Sequence, residues 1–360
     1  MTKIVRYGII LGLLAGVAPV CHADNLNWGS LFVKGATVSP TTEKYLTGIM
    51  TETRSNSGIH FTAVAHIISQ GHLPTDPGVQ ECRLVLQTIP MILKLAICAR
   101  AAGDPSQAAA CRGAATAGLL VWAKTYKPNG DPINETVFIP WAQAMDIMTP
   151  LLAPKDLAQL QKFARALIAG GDRFYGSMST KDGRYYNNWG TFRLCERAYF
   201  AAALGDKAAV KATGKLLDAH LPHNIYADGS TIDYHQRDAF DYHLYDLKPL
   251  MGVAAQMPKG FMSAASMARI QKSLDFMRPY FLGQKTHIEF LHTTVGIDLA
   301  RKKAGLPAYQ NKPWVPSTAR PVLRVGRVAF PAIRSWTASI VTDKYETILR
   351  LMVSALEDRP

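Results

Sequence analysis

The sequence predicts an all-α protein. Between residues 76 and 281, apolar residues recur every three or four positions, which is the spacing of the buried face of a helix. Turn residues interrupt this pattern repeatedly, for example at Gly103-Asp104-Pro105 and at Gly205, so that one amphipathic helix follows another. The alternating apolar pattern of strands is scarce. Pairs of amphipathic helices in succession predict an α-helical toroid or solenoid.

Each predicted helix combines apolar periodicity with a stop signal. The predicted helices, in chain order, are an apolar run over residues 85–97, Ala108–Ala123, Pro140–Met148, Leu157–Ala169, Phe192–Leu204, Ala208–His220, Arg237–Gln256 and Ser263–Phe281. We expect Gly170-Gly171 to end the fourth of these helices. We expect the sixth to end before Pro222, because proline disrupts a helix interior.

The two ends of the chain follow other patterns. Asp24–Ser39 is predicted to form an ordered arm, and Tyr345–Glu357 a helix. Val322–Val341 is rich in β-branched and aromatic residues and contains Pro331, which predicts extended or irregular structure. Nothing marks a flexible linker, so residues 24–360 are predicted to form one domain.

The composition excludes several classes of protein. Of the 360 residues, 48% are hydrophobic and 19% are charged, which excludes a disordered chain. The formal net charge of +13 favours an anionic partner. Walker, dinucleotide-binding and serine-elbow motifs are missing from the sequence, so we expect neither nucleotide nor nucleic-acid binding.

The first 23 residues resemble a secretory signal. Lys3 and Arg6 precede the apolar stretch Ile9–Val17, and small residues at Cys21 and Ala23 are typical of a cleavage site. Lipidation of Cys21 is the alternative interpretation. No later stretch has the length expected of a membrane helix. We therefore expect a mature protein in the periplasm or outside the cell, with no membrane association and as a monomer.

Four cysteines remain after such a cleavage. Cys98 and Cys111 flank the turn at residues 103–105, so two antiparallel helices would bring their sulfurs together, and we predict a disulfide between them. The alternative is that these two, Cys82 and Cys195 are all buried thiols. The absence of a Cys-x-x-Cys pair, a His-Glu-x-x-His motif and a carboxylate-rich calcium loop predicts no metal site.

A first polar and aromatic segment spans residues 183–190. Arg184, Tyr185, Tyr186 and Trp189 cluster there, and aromatic rings beside an arginine suit a sugar ring that carries a carboxylate. The alternatives are that the aromatic residues belong to the core and that one asparagine of the pair at 187–188 caps the following helix.

A second such segment spans residues 228–246. On one continuous helix over residues 235–251, His235, Asp238, Tyr242 and Asp246 would share a stripe that can transfer protons and orient a ligand. The opposite stripe would face the core and consists of Phe240, Leu244, Leu247 and Met251. The alternative interpretation is a hydrogen-bonded polar ridge in a wet interior.

These two segments resemble the alginate lyase family of periplasmic (α/α)-barrel enzymes. The matching residues are Asn187-Asn188-Trp189, the turn Asp228-Gly229-Ser230 and the stretch Tyr242–Leu247. The resemblance implies an incomplete (α/α) toroid of helix hairpins and a β-elimination on a 4-linked uronate, without a cofactor. It implies that Asn188 neutralises the uronate carboxylate and that Tyr242 acts as base and acid.

Two positions depart from the family pattern. Trp189 stands where the family has histidine, and a gapless alignment places His235 where the family has arginine. Arg237 supplies the missing charge if the helix starts late. The resemblance is compatible with alginate (polymannuronate) or polyglucuronate as the anionic polysaccharide partner.

The candidate site therefore contains eleven residues. The catalytic candidates are Asn188, His235, Arg237 and Tyr242, and the substrate-binding candidates are Arg184, Tyr185, Asn187, Trp189, Tyr234, His243 and Tyr245. Two other functions remain open: a periplasmic protein that binds polyanions without cleaving them, and a glycoside hydrolase that uses Asp228 and Asp238 as acid and base.

Overall fold

The computed structural model describes residues 47–54 and 59–339. This part of the chain consists of α-helices, short 3-10 turns and connecting loops, and it contains isolated β-bridges but no β-strand. Antiparallel helix hairpins follow one another, and the fold is an (α/α) toroid, as the sequence predicts. The predicted signal peptide (1–23), the arm at 24–39 and the helix at 345–357 lie outside the described residues.

The helices after residues 47–54 are numbered in chain order. They are α1 Pro77–Leu86, α2 Thr88–Ala101, α3 Pro105–Thr125, α4 Pro132–Glu135, α5 Ile139–Met148, α6 Pro154–Gly176, α7 Asn188–Ala203, α8 Lys207–Asn224, α9 Ile232–Arg237, α10 Phe240–Gln256, α11 Ala264–Phe281, α12 Gly296–Lys303, α13 Arg320–Ala329 and α14 Arg334–Thr337.

Helix α7 lies at the centre of the core. It packs against α5, α6, α8 and α10, and every residue of α7 except Arg193 and Arg197 is buried. A helix that is apolar on almost all sides has to be surrounded by other helices, which fixes its position. Asn188, the first residue of α7, is therefore held by the rigid centre of the molecule.

The predicted disulfide is confirmed. Cys98 on α2 and Cys111 on α3 are bonded across the turn, with their Cα atoms 5.9 Å apart. Closing a short loop of this kind contributes roughly 3 kcal/mol of stability in the chain-entropy model. Cys82 and Cys195 are buried free thiols.

The stretch Pro77–Ala101 is long and apolar enough to cross a membrane by length and composition alone, which the sequence analysis did not foresee. In the structure it is divided at Gln87 into α1 and α2. The buried face of α2 packs against α3 and α5, which is the burial expected of a core helix.

Two predicted helix ends and one predicted element type are wrong. Helix α6 continues through Gly170-Gly171 to Gly176, and the backbone of Gly130 packs closely against it: a Cβ added to Gly130 would lie 2.3 Å from the carbonyl oxygen of Gly170. Pro222 lies inside the last turn of α8, where the missing N–H costs one hydrogen bond. The region Val322–Val341, predicted as extended or irregular, contains most of α13 and all of α14, with Pro331 at the start of a 3-10 turn.

Candidate active site

The two neighbouring asparagines have different roles at the start of α7. Asn187 is the N-cap: its Oδ1 accepts a hydrogen bond from the Trp189 N–H at 3.0 Å. Its Nδ2 donates to Gln236 on α9 at 3.3 Å. The alternative interpretation of one asparagine as a cap is thus correct for Asn187, and Asn188 remains available for another task.

Asn188 is buried and bound to Asp233 of α9 through both its backbone and its side chain. Its backbone N–H donates to Asp233 Oδ2 at 2.7 Å, and its Nδ2 donates to Asp233 Oδ1. The carboxylate accepts on both oxygens, so it fixes the orientation of the carboxamide. Within the described part of the chain, Asn188 Oδ1 has no hydrogen-bond partner.

Asp233 forms a buried carboxyl pair with Asp246 of α10. Burial raises the pKa of Asp233 well above its ordinary value, and the adjacent Asp246 raises it further. Burial also raises the pKa of Asp246, to about 7, against the hydrogen-bonding influence of Thr191 and Asn224. Because two carboxylates in a low-dielectric interior repel each other, each one disfavours ionisation of the other.

The predicted single helix over residues 235–251 is wrong. The chain breaks between α9 and α10 at Asp238, which has a left-handed backbone with φ of 49°. The Asp238 carbonyl accepts a hydrogen bond from Phe290 N–H at 2.7 Å, and Glu289 accepts the first N–H of α10, from Phe240, at 2.8 Å. The loop at residues 287–292 therefore fixes the break.

The break separates the residues that the sequence placed on one polar stripe. His235 is exposed on α9, and its Nε2 lies 2.7 Å from Ser230 Oγ, with an edge contact to the ring of Tyr226. Asp238 forms the turn itself. The opposite, apolar stripe is confirmed, since Phe240, Leu244, Leu247 and Met251 are all buried.

The same break brings Arg237 onto Tyr242. The guanidinium carbon of Arg237 lies 3.8 Å from the centre of the Tyr242 ring, and its Nη1 donates to Asp298 Oδ1 at 2.5 Å. Of the two candidates for the family arginine, the structure therefore places Arg237, and not His235, against the tyrosine. The late start of the second helix is the physical reason.

Two residues that the sequence analysis did not single out contact the Tyr242 hydroxyl. Arg301 Nη1 donates to it at 3.3 Å, and the Tyr309 hydroxyl lies 3.4 Å from it. Burial raises the pKa of Tyr242, while the positive charge of Arg237 acts in the opposite direction. The charge of Arg237 thus counters part of the cost of ionising this phenol.

The substrate-binding candidates of the first segment differ in exposure. Arg184 is exposed and paired with Asp182, with Nη2 2.7 Å from Oδ2. Tyr185 is half-buried and lines a cavity of about 190 Å³ together with Tyr175 and Arg193.

Trp189 is buried, with its ring stacked against Phe174 at a centroid distance of 6.0 Å. The Trp189 ring therefore packs in the core, as the alternative interpretation of the aromatic residues has it.

Two candidates of the second segment support the site from the interior. His243 is fully buried, with Nδ1 3.1 Å from Thr231 Oγ1 and Nε2 3.1 Å from the Ser273 carbonyl oxygen, and burial lowers its pKa to about 4. Both ring nitrogens of His243 are thus occupied inside the core. Tyr234 packs in the same aromatic cluster, against Phe240 and His287.

Tyr245 remains at the site. Its ring lies 5.9 Å from that of Tyr242 and 4.7 Å from that of Phe192, measured between centroids. It is the substrate-binding candidate of the second segment that the structure brings to Tyr242.

The acid pair that a glycoside hydrolase would need has other roles. Asp228 accepts hydrogen bonds from the Ser230 N–H and hydroxyl, at 2.9 and 2.6 Å, and the hydroxyl bond is the main reason that its pKa is lowered. Asp238 accepts from the His292 N–H at 2.8 Å. Both carboxylates stabilise turns.

Across residues 47–54 and 59–339, no group of three or more His, Cys, Asp or Glu side chains could hold a metal ion.

The assembled site is organised by one short helix. Asp233 and Arg237 lie one turn apart on the same face of α9, so the helix holds Asn188 at one end and covers Tyr242 at the other. This arrangement combines an oriented carboxamide with a phenol between two guanidinium groups. It suits proton transfer next to a bound carboxylate.

Comparison with known proteins gives one family and a set of similar structures. The family model "Alginate lyase" matches residues 102–287. No curated protein sequence matches the chain. An alginate lyase from Bacteroides ovatus superposes with a TM-score of 0.57 at 15% identity, covering 87% of this chain and 94% of that one.

Two further structures come from Sphingomonas species A1. Its alginate lyase A1-III matches with a TM-score of 0.45 at 16% identity, over 96% of this chain and 100% of that one. A variant of that enzyme complexed with tetrasaccharide matches with a TM-score of 0.46 at 15% identity, over 96% of this chain and 99% of that one. The structural likeness to the Bacteroides enzyme agrees with the (α/α) toroid.

Proposed function

Since the chain belongs to the alginate lyase family and is a polysaccharide lyase, we propose that it cleaves a 4-linked uronic-acid polymer by β-elimination, leaving an unsaturated uronate end. The polymers proposed as substrates are polymannuronate, the mannuronate form of alginate, and polyglucuronate. The observation that carries the proposal is the placement of Arg237 over Tyr242 by the same helix that orients Asn188.

The first requirement of β-elimination is to reduce the negative charge of the uronate carboxylate, because that charge opposes removal of the neighbouring C5 proton. Asn188 is proposed to bind this group. Its carboxamide is held by Asp233, and its Oδ1 has no partner among the described residues, so it can accept a hydrogen bond from a protonated carboxyl group. Its fixed orientation avoids an entropic cost at the moment of reaction.

The second requirement is a base for the C5 proton and an acid for the leaving oxygen. In the proposed step, the Tyr242 phenolate takes the C5 proton, the C5–H electron pair forms the C4–C5 double bond, and the C4–O4 bond breaks. The proton on Tyr242 then passes to O4. One residue can serve both steps when the proton and the leaving group lie on the same side of the ring.

The third requirement is to attract a polyanion. The formal net charge of the full sequence is +13, and the site contains the cations Arg237 and Arg301 near the tyrosine. A positive field increases the rate at which an anionic polymer reaches the cleft, most strongly at low salt.

We also propose that the protein is exported through its N-terminal signal and acts as a monomer on a polysaccharide outside the cytoplasm. Cell fractionation and light scattering test these two points.

A product assay tests the function directly. The folded protein is incubated with polymannuronate, polyglucuronate and hyaluronan, and the ultraviolet absorbance of unsaturated uronate ends is followed. We expect absorbance to rise with at least one of the first two polymers. New reducing ends without unsaturation would instead indicate a hydrolase. Salt-sensitive binding with no new ends on any polymer would indicate a binding protein, and either outcome would overturn the proposal.

A further inference from the structure

We propose that Arg301 is the positioning residue that holds the Tyr242 hydroxyl for proton transfer and stabilises its phenolate form, and that Tyr309 is a second hydroxyl partner in the same task. This inference rests on the proposed function of Tyr242, and it concerns how this chain supplies the charge that the reaction needs. It assigns a role to two residues that lie far from both polar segments in the sequence.

The first argument is the hydrogen-bond geometry around the phenol. Arg301 Nη1 donates to the Tyr242 hydroxyl at 3.3 Å and to the Tyr309 hydroxyl at 2.8 Å, and the two hydroxyl oxygens are 3.4 Å apart. The three groups form a closed triangle. Loss of the Tyr242 proton leaves an anion that can accept from a guanidinium and from a phenol, and such charge-assisted bonds are stronger than neutral ones.

The second argument is the way in which Arg301 is fixed. Its Nη2 donates to the carbonyl oxygen of His72 at 3.2 Å, so both terminal nitrogens are in use. Its guanidinium carbon also lies 5.0 Å from the centre of the Tyr309 ring. A planar fork held at two points keeps its orientation, whereas a lysine ammonium could occupy only one of these positions.

The third argument is the contrast with Arg237. Arg237 lies over the face of the Tyr242 ring and donates to the carboxylate of Asp298, so its hydrogen bond goes to an anion and not to the phenol oxygen. The hydrogen bonds of Arg301 within the described residues all go to neutral oxygens, those of Tyr242, Tyr309 and His72. Arg301 is therefore the guanidinium that contacts the phenol at its hydroxyl group.

The ionisation of Tyr242 depends on every charged or titratable group around it. The charge of Arg237 favours the phenolate, whereas Asp298 and Tyr309 oppose it and burial opposes it most. The groups that face Tyr242 come from α9, α10, α12 and the 3-10 turn at residues 307–309, and they are Arg237, Tyr245, Asp298, Arg301 and Tyr309.

The pH dependence of the reaction tests the assignment. The variants are Arg301→Gln, Arg301→Lys and Tyr309→Phe, and the control is Lys303→Gln, which removes one positive charge from an exposed position of the same helix. We expect Arg301→Gln to lower kcat by about a hundredfold with little change in KM. We also expect it to move the rising limb of the pH profile upward by about one pH unit.

The other variants compare how much the Arg301 charge and the Tyr309 hydroxyl each contribute to kcat. Arg301→Lys should recover part of kcat because it retains a charge, and Tyr309→Phe should lower kcat by about threefold because one of two partners remains. Lys303→Gln should keep the wild-type profile. A wild-type pH profile for Arg301→Gln, or equal shifts for Arg301→Gln and Lys303→Gln, would overturn the proposal.

A second measurement needs no substrate, so it separates this proposal from the proposed function. Site-specific replacement of Tyr242 by difluorotyrosine, an acidic analogue, allows its ionisation to be followed by ultraviolet absorbance in the folded protein. We expect Arg301→Gln to raise the pH of ionisation by about one unit, and Lys303→Gln to leave it in place. An unchanged ionisation in Arg301→Gln would overturn the proposal even if the enzyme cleaves its polymer.

Discussion

The two ends of α9 form parts of the site that are built in opposite ways. At one end, Asn188 is buried and held by Asp233, which in turn is paired with the buried Asp246. At the other end, Tyr242 is half-buried, and its hydroxyl contacts the polar groups of Arg301 and Tyr309. Asn188, which is proposed to bind the carboxylate, is buried and held in one orientation. Tyr242, which is proposed to move protons, is partly exposed and lies next to two guanidinium groups.

This difference follows from what each group has to do. A carboxamide that lowers the charge of a substrate acts best when its orientation is fixed before the substrate arrives. A tyrosine that exchanges protons needs nearby positive charge, and it needs access to the substrate. The variants below separate the two ends of α9.

Among the variants of α9 and its carboxyl partner Asp246, the largest effect is expected at the buried end of the helix. Asp233→Leu removes the acceptor for the Asn188 backbone and side-chain N–H groups, so we expect a loss of about 2 kcal/mol in unfolding free energy and about a hundredfold in kcat. Asp233→Asn keeps one acceptor oxygen and should lose less of both. Urea unfolding and the rate of unsaturated product measure the two effects. If Asp233→Leu were as active as Asp233→Asn, the orientation of Asn188 would not depend on this contact.

The next largest effect separates the two candidates for the family arginine. Arg237→Gln removes the charge over the Tyr242 ring, and we expect a loss of about tenfold to a hundredfold in kcat. His235→Gln changes an exposed residue that contacts Ser230, so its loss should be smaller, about threefold or less. Initial rates at saturating polymer provide the comparison. The reverse order would show that the proton transfer depends on the exposed face of α9.

The smallest effect concerns stability alone and comes from Asp246. Burial raises the pKa of Asp246 to about 7, so the folded protein retains a proton that the unfolded chain has already lost at lower pH. Stability is therefore expected to fall as pH rises from the ordinary pKa of an aspartate, about 4, to about 7. Asp246→Asn cannot ionise and should remove this decline.

Urea unfolding of the wild type and of Asp246→Asn between pH 4 and 8 measures this effect. We expect the difference in unfolding free energy to change in favour of the variant up to about pH 7 and then to level off. Two parallel curves would mean that the carboxyl group of Asp246 does not carry a raised pKa.

The sequence predicts the fold better than it predicts the site. Apolar spacing and turn residues predict the helix hairpins and the Cys98–Cys111 bond, because both depend on contacts close in the chain. The asparagine pair and Tyr242 stand in motifs that could be recognised. The prediction of a single stripe failed at Asp238, because the left-handed turn is held by Phe290, more than fifty residues away.

The residues that were missed, Asp233, Arg301 and Tyr309, differ in the sequence signal that could have revealed them. Asp233 and Arg237 are four residues apart, and that spacing would have paired them had the helix been started at Ile232. Arg301 carries no comparable signal, since it lies in a basic run, Arg301-Lys302-Lys303, that resembles a solvated helix end. Only the folding of α12 against α10 brings it to the phenol.

The central claim is that Tyr242 transfers the protons of a β-elimination, and the rate at which Tyr242→Phe forms unsaturated ends tests it most directly. The matched control is Tyr226→Phe, which removes a hydroxyl from a tyrosine that is 46% exposed. With both variants folded and binding the polymer, we predict that Tyr242→Phe loses about a thousandfold in kcat while Tyr226→Phe stays within about twofold of the wild type. A Tyr242→Phe rate above about a tenth of the wild-type rate would contradict this account.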